Sequence, residues 1–359
     1  MIRLFTEAKV RVDFVDYPPN NVIDRTLFDA TCYSDITSHG LSTRPIKLIH
    51  CASVHYQPRY QNSPSQRFLN AFFETKTSFR SNATGSPLVL GNGQSPELKK
   101  SASEVLAVGL CLDLSTKLFD IPLNRINVIE TSGKRCDFVF DKSGRRYELE
   151  SKGREHKNQI NAAIQDVFNK KANSVSLSKY GFVSHLPRDN SPVTLTIVDP
   201  EGEPIIPTPE ESIVRLLAYY AKASRLSGFW RLADLLNIQV EVIQSGVSLS
   251  NLEGKALDYE NIIKLGRGYE LRSDSFIMET FFPVDPTIGF RDEDDGRISF
   301  VSLDKRLLEL LERQNFEAIL DYRPSFGTQG IIESNAGNFS VNNDGTVFGI
   351  VPTSFFEGR

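Results

Sequence analysis

The stretch CDFVFDKSGRRYELESKGR, residues 136 to 154, has the pattern of two short strands joined by a tight turn. Asp137 stands at the start of the first strand, and the second strand carries Glu148, Glu150 and Lys152. Successive side chains on a strand point to opposite faces, so the three charged groups of the second strand share one face. This hairpin is the centre of the predicted fold.

Length and composition describe a chain that can bury a large core. At 359 residues, a prior of roughly 100–200 residues per domain predicts about two domains. The hydrophobic fraction of 40% and the charged fraction of 24% are those of ordinary globular proteins. The net charge of −4 gives no overall attraction to nucleic acid, although an average can hide local basic patches.

The cysteines and the start of the chain favour a cytoplasmic protein. The four cysteines form no CxxC pair and no zinc-site spacing with the five histidines, so we interpret them as reduced thiols. The start, MIRLFTEAKV, lacks the apolar run of a signal peptide. No stretch approaches the roughly 18 apolar residues that span a bilayer, so no membrane partner is expected.

Residues 1–100 are expected to form a β-rich N-terminal region, with strands at 9–17 (KVRVDFVDY) and 46–56 (IKLIHCASVHY). The segment 41–100 holds eight Lys and Arg against two Glu, with aromatic residues interleaved. Such a segment can grip a phosphate backbone and stack bases, but a solvated loop with a packed helix is the alternative interpretation.

Residues 101–199 alternate between helical and strand patterns. The capping box Ser101-x-x-Glu104 predicts the start of a helix. The predicted elements are a helix at 101–119, a strand at 126–130, the hairpin, a basic amphipathic helix at about 157–171 and strands at 179–186 and 193–199. This order predicts an α/β unit.

Residues 200–359 are expected to form an α+β C-terminal accessory domain. A proline-rich segment at 200–209 indicates a linker or a domain edge, and amphipathic helices and short strands follow. This region would set substrate choice or hold a protein partner.

The hairpin carries the residue types that metal-assisted phosphodiester cleavage requires. Carboxylate oxygens suit a hard cation such as Mg²⁺ or Mn²⁺, which lowers the pKa of bound water and neutralises charge that grows on the oxygens of the phosphorane. A nearby lysine can hold the attacking water or the developing oxyanion. The alternative is a hairpin whose charged side chains face water, which would make the chain a structural protein.

The pattern resembles the PD-(D/E)XK nuclease superfamily, whose restriction-endonuclease-like fold is a mixed sheet flanked by helices. Asp137 matches its first acid, Glu150-Ser151-Lys152 matches its acid-x-lysine, and Cys136 stands where the motif has proline. The resemblance implies that Asp137 and Glu150 bind Mg²⁺ or Mn²⁺ together with the Ser151 backbone carbonyl. It also implies that Lys152 orients or activates water.

The resemblance leaves supporting residues open. The family often adds an acid from the preceding helix, for which Glu104 is the candidate alongside its capping role. Glu148 competes with Glu150 as a metal ligand because both face the same way, although spacing to Lys152 favours Glu150. Gln159 has a supporting role only, since the tyrosine that accompanies such a glutamine in some relatives is missing here.

Basic side chains around the hairpin are candidate phosphate contacts. Segment 134–171 holds ten Lys and Arg against six Asp and Glu. The candidates are Arg135, Arg145, Arg146, Arg154 and Lys157.

The sequence therefore predicts a metal-dependent endodeoxyribonuclease, with RNA as an alternative substrate. The resemblance implies that its products carry a 5′-phosphate and a 3′-hydroxyl. Restriction, antiviral (phage) defence, transposition and repair are all compatible roles. The second interpretation is a non-catalytic nucleic-acid-binding or assembly subunit on a nuclease-like fold. The pattern leaves open whether the chain forms a homo-oligomer.

Overall fold

The computed structural model describes residues 2–15, 25–55, 88, 96–129, 136–172, 178–188, 191–198, 205–255, 257, 266–273, 276–283, 290–292, 297–324, 330–334 and 337–352. The chain divides into two compact units, the first ending at Pro207 and the second running from Thr208. The described parts of the predicted N-terminal region and of the predicted nuclease core thus fall within one unit.

The first unit is a mixed α/β structure in which helices flank one sheet. Its described helices are α1 (Ile2–Phe5), α2 (Ala30–His39), α3 (Pro45–Ser53), α4 (Pro96–Leu118) and α5 (Ile160–Ala172). Its described strands are β1 (Ala8–Val15), β2 (Leu41–Thr43), β3 (Ile126–Val128), β4 (Phe138–Lys142), β5 (Arg145–Arg154), β6 (Ser178–His185) and β7 (Thr194–Val198).

These strands form one seven-stranded sheet in the order β2-β1-β7-β6-β5-β4-β3. The antiparallel meander β3-β4-β5 is followed by a parallel pair, β5 with β6. Parallel neighbours need a crossover connection, and α5 lies in this one. Next to β7, β1 pairs in parallel, so the start of the chain completes the sheet that contains the hairpin.

Helices cover both faces of β5 and β6. A Cβ added at Gly153 would lie 2.9 Å from the Ser103 carbonyl oxygen of α4. A Cβ added at Gly181 would lie 2.3 Å from Val167 Cγ1 of α5. Because Gly181 pairs in register with Glu150, α5 packs on the sheet face that carries Glu150, and α4 packs on the other.

The N-terminal region is not β-rich in its described part, where helices α1 to α3 outweigh strands β1 and β2. The predicted strand at 46–56 is wrong, because Pro45–Ser53 is helix α3. All of its residues are buried, although Lys47, His50 and Ser53 recur every third residue, as on one face of a helix. Pro45 at the first helical position, where its missing N–H is harmless, was a second available signal.

The predicted capping box at Ser101 is also wrong. Helix α4 begins at Pro96, so Ser101 and Glu104 lie inside it. A capping box does form later in the chain, where Thr208 Oγ1 accepts from the Glu211 amide at the start of the next helix. The predicted order of helices and strands across 101–199 is otherwise that of α4 to β7.

The second unit places two helices before an antiparallel sheet. Its described helices are α6 (Pro209–Leu226), α7 (Trp230–Gln244), α8 (Lys305–Glu312) and α9 (Phe316–Leu320). Its described strands are β8 (Gly266–Ser273), β9 (Phe276–Pro283), β10 (Phe290–Asp292), β11 (Arg297–Asp304), β12 (Gly330–Ser334), β13 (Gly337–Val341) and β14 (Thr346–Pro352). Strand order is β12-β13-β14-β11-β9-β8, and β10 pairs with β11.

Buried hydrogen bonds tie the helices of the second unit to this sheet. The Asp344 carboxylate, fully buried before β14, accepts from the Tyr219 hydroxyl of α6. The Asp304 carboxylate caps α8 at the Arg306 amide, 3.0 Å away, and accepts from the Tyr322 hydroxyl. Among the residues of known placement, no helix combines the length and the hydropathy that a bilayer crossing requires.

Candidate active site

Asp137 lies directly before β4 and is fixed across the hairpin by two hydrogen bonds. Its Oδ2 atom accepts from the Ser151 amide at 2.8 Å, and its own amide donates to the Leu149 carbonyl at 2.9 Å. Asp137 therefore sits beside the Glu150-Ser151-Lys152 segment, as the hairpin pattern predicts.

Glu150 and Lys152 form an ion pair on β5. The Glu150 side chain is fully buried, whereas that of Lys152 is 21% exposed. Lys152 Nζ lies against Glu150 Oε1. A buried carboxylate is stable only with a charged or hydrogen-bonding partner, and the lysine supplies one while its ammonium stays near solvent.

Glu148 has a partner that the sequence did not indicate. Lys179 of β6 stands opposite Glu148 in the parallel register, and its Nζ lies 3.5 Å from Glu148 Oε2. Lys179 is only 1% exposed. The sequence predicted a strand starting at 179, but it contains no signal for the strand or the residue that this lysine faces.

Two buried thiols have pKa values raised by burial and by the carboxylates of the hairpin. Burial, with Glu150 and Glu148 adding to it, raises the pKa of Cys136. Burial, with Asp137 and then Glu150 adding to it, raises the pKa of Cys111 well above its ordinary value. Cys111 therefore lies in the field of both predicted metal-binding carboxylates. Both thiols stay protonated, so neither is a nucleophile at neutral pH.

The structure does not bring Glu104 into the site. Glu104 is an exposed residue of α4, which packs on the sheet face opposite to the one that carries Glu150. Among the described residues, no three His, Cys, Asp or Glu side chains form a group that could hold a metal ion. Glu104 therefore does not join Asp137 and Glu150 in such a group.

The remaining oxygen donors suit a hard divalent cation by their chemistry. The carboxylates of Asp137 and Glu150 and the backbone carbonyl of Ser151 are all ligands of the type that Mg²⁺ and Mn²⁺ prefer. Asp137 lies directly before β4 and Glu150 lies in β5, and the Asp137–Ser151 hydrogen bond holds the two segments together at this point. The residues present therefore fit the predicted cation.

Arg145 and Arg146 lie at the turn end of the hairpin, far from Lys152. At roughly 3.3 Å per residue, the six or seven residue steps from them to Lys152 span about 20 Å. Arg146 is 7% exposed, and its Nε atom donates to Asp141 Oδ1 at 2.9 Å. Burial and this pairing remove Arg146 from the residues that we expect to touch phosphate.

Arg154 and Lys157 lie at the same end of β5 as Lys152. One Arg154 nitrogen donates to the Gly153 carbonyl at 2.8 Å, and another lies 3.8 Å from Asp166 Oδ2. Lys157 is exposed in a 3₁₀ turn that precedes α5. These two residues stay candidates for phosphate contact.

Gln159 is exposed in the same 3₁₀ turn, where its backbone N–H donates to the His156 carbonyl at 2.9 Å. Its supporting role stays a prediction. Arg135 lies outside the described residues, as does most of the basic and aromatic segment at 41–100. Lys47, one member of that segment, is buried in α3.

The chain has no match among family models, curated proteins or solved structures.

Proposed function

We propose that this chain is a metal-dependent nuclease that hydrolyses DNA phosphodiester bonds, built on a restriction-endonuclease-like core. The observation that carries the proposal is the Asp137 carboxylate, held by the Ser151 amide beside the buried Glu150–Lys152 pair. The element order α4-β3-β4-β5-α5-β6, with β5 and β6 parallel, supports the same proposal.

The residues have separate roles in this proposal. Asp137, Glu150 and the Ser151 carbonyl would hold Mg²⁺ or Mn²⁺. When bound, the cation supplies a water of lowered pKa and neutralises charge on the phosphate. Lys152 keeps its ammonium near solvent and would orient the attacking water. Rigid strands suit this task because small displacements of reacting groups lose much of the rate.

Arg154 and Lys157 would receive the phosphate backbone beside Lys152. Both lie within five residues of it along the chain, at one end of β5. Such contacts carry no base information, so they predict binding that weakens as salt rises and that depends little on sequence.

The test is a cleavage assay with the purified full chain on single-stranded, double-stranded and structured DNA and RNA, with Mg²⁺, Mn²⁺ or EDTA. We expect metal-dependent products with 5′-phosphates, and a loss of at least about 100-fold on Lys152→Ala. Lys9→Ala, an exposed lysine of β1, is the matched control. The nuclease proposal fails if every substrate stays intact with either metal, or if Lys152→Ala leaves cleavage unchanged.

A non-catalytic nucleic-acid-binding or assembly subunit is the second candidate. The observation that favours it is the direct Glu150–Lys152 pair, because two opposite charges in contact can serve the fold alone. Thermal unfolding separates the candidates, since a cation that binds the native state raises Tm by mass action. A nuclease shows a Mg²⁺-dependent rise that Asp137→Asn removes, and a subunit without a cation site shows none.

A further inference from the structure

The sheet face that carries Glu150 and Lys152 also buries a second carboxylate–ammonium pair. Glu148 Oε2 and Lys179 Nζ are 3.5 Å apart, on adjacent parallel strands. Glu148 is 9% exposed and Lys179 is 1% exposed. A lysine that is closed to solvent to this degree cannot reach a polynucleotide, so its role lies inside the protein.

Glu148 and Glu150 are rivals for one cation. They lie two residues apart on one face of β5, so roughly 6–7 Å separates their Cα atoms. Flexible glutamate side chains span such a gap. A cation beside Glu150 would therefore attract both carboxylates, unless another group restrains Glu148.

Lys179 is placed to restrain it. The register of β5 and β6 sets the lysine directly opposite Glu148, while the position opposite Glu150 is Gly181, which has no side chain. Each glutamate thus has its own lysine, Lys179 for Glu148 and Lys152 for Glu150. Glu148 is also among the groups that raise the pKa of the buried Cys136 thiol, after burial itself and Glu150.

We propose that Lys179 is a positioning residue that holds Glu148 out of the metal site, which leaves Asp137, Glu150 and the Ser151 carbonyl as its ligands. This inference rests on the proposed function and deepens it, because it decides which glutamate binds the cation. Glu148 and Lys179 neutralise each other, so they add no net charge beside the cation.

The first measurement is Mn²⁺ binding to the full chain, followed by the electron paramagnetic resonance of free Mn²⁺. Lys179→Met keeps the bulk and removes the charge, so Glu148 turns towards the cation and the Kd for Mn²⁺ tightens at least about 5-fold. Lys179→Arg keeps the charge and stays within about 2-fold of the wild type. Glu150→Gln loses binding by at least about 10-fold.

The decisive variant is the double substitution Glu148→Gln/Lys179→Met, which replaces the pair with neutral side chains of similar size. Such a replacement of a buried ion pair is tolerated more readily than the loss of one partner. It should bind Mn²⁺ within about 2-fold of the wild type. A double variant that loses Mn²⁺ as Glu150→Gln does would make Glu148 a ligand and overturn the inference.

Thermal unfolding without metal tests the pair independently of any cation. Lys179→Met removes the partner of the buried Glu148 carboxyl, so Tm should fall by roughly 10 °C, and adding Glu148→Gln should recover more than about half of that loss. An absence of recovery would show that the two groups do not interact, which also overturns the inference.

The outcomes separate the two proposals. A wild-type chain that binds no Mn²⁺ contradicts the proposed function, and the inference about Lys179 falls with it. A wild-type chain that binds Mn²⁺ and cuts DNA, with a double variant that does neither, contradicts the Lys179 inference alone.

Discussion

Each carboxylate of the hairpin interacts with a neighbouring polar or charged group, which lies either on an adjacent strand or on the same strand. Asp137 accepts from the Ser151 amide across the β4–β5 pair, and Glu148 faces Lys179 across the β5–β6 pair. Glu150 takes its partner, Lys152, from its own strand. A lone charge inside a protein is far less stable than a paired one, so each carboxylate depends on the strand register.

Two substitutions of Asp137 separate the effect of its negative charge from that of its hydrogen bond with the Ser151 amide. Asp137→Asn keeps an oxygen that can accept from the Ser151 amide, so the free energy of unfolding should change little without metal. Asp137→Ala leaves that amide without its acceptor and should lower the free energy by about 1–3 kcal/mol.

Urea unfolding followed by far-UV circular dichroism measures both variants, and Asp35→Ala in the exposed part of α2 is the matched control. An asparagine variant as unstable as the alanine variant would show that the fold needs the negative charge itself.

In the second unit, Asp304 predicts a dependence of stability on pH. Burial raises the pKa of the Asp304 carboxyl above its ordinary value of 3.8, and the Tyr322 hydroxyl opposes this only in part. The native state then keeps the proton to a higher pH than the unfolded state. The contribution of this group to stability is therefore full below 3.8 and is lost as pH rises through the raised value.

In the Asp304→Asn variant, the free energy of unfolding should fall less steeply than in the wild type as pH rises. The single tryptophan of the chain, Trp230, lies in α7, so its fluorescence during urea unfolding follows the second unit. Asp321→Asn, at the end of α9, controls for the loss of one carboxyl. The assignment is wrong if wild type and Asp304→Asn have the same slope above 3.8.

At the level of elements, close approach between helices and their neighbours depends on glycines. A Cβ at Gly109 of α4 would lie 2.4 Å from the Leu48 carbonyl oxygen of α3. A Cβ at Gly181 of β6 would instead meet a side chain, Val167 of α5. The main chain between two packed helices moves less easily than a valine side chain. The two glycine sites therefore differ in how well they tolerate an added methyl group.

Gly109→Ala should therefore destabilise more than Gly181→Ala. We expect about 1–3 kcal/mol for Gly181→Ala and at least about 3 kcal/mol for Gly109→Ala. Adding Val167→Ala removes the clashing methyl groups, so Gly181→Ala/Val167→Ala should lose less than the sum of the single changes. The midpoints of urea unfolding measure the loss of stability in each variant. Additive losses at 181 and 167 would contradict the predicted α5–β6 contact.

Whether a segment forms a helix or a strand was predictable where the order of apolar and polar residues fits only one of the two. The short apolar run of β4, the alternation in β5 and the stripe of α5 indicated strands and a helix correctly. Helix α3 was missed although Lys47, His50 and Ser53 recur at helical spacing, because the apolar residues between them also fit a short buried strand.

For the whole molecule, the first unit depends on strands that are distant in sequence. Val12 of β1 pairs with Leu195 of β7, and both are buried, so the start of the chain belongs to the same core as the hairpin. The structural boundary between the units follows Pro207, whereas the sequence placed domain boundaries near 100 and 200.

A fragment of residues 1–207 should fold, and a fragment of residues 101–199 should not. The shorter fragment lacks β1 and β2, which exposes the β7 edge and the apolar surface beneath them. Far-UV circular dichroism and the dispersion of amide proton shifts measure this difference. A cooperative transition in the 101–199 fragment would show that the N-terminal strands are dispensable.

The sequence by itself determined the hairpin, the element order of 101–199 and the neighbourhood of Asp137, Glu150 and Lys152. These features depend on interactions within about twenty residues, such as alternation along a strand and closure of a short turn. Only the tertiary structure decided that Lys179 faces Glu148, that Glu104 lies apart and that β1 joins β7. Those outcomes depend on which distant strands pair and in which register, and a local pattern does not encode that choice.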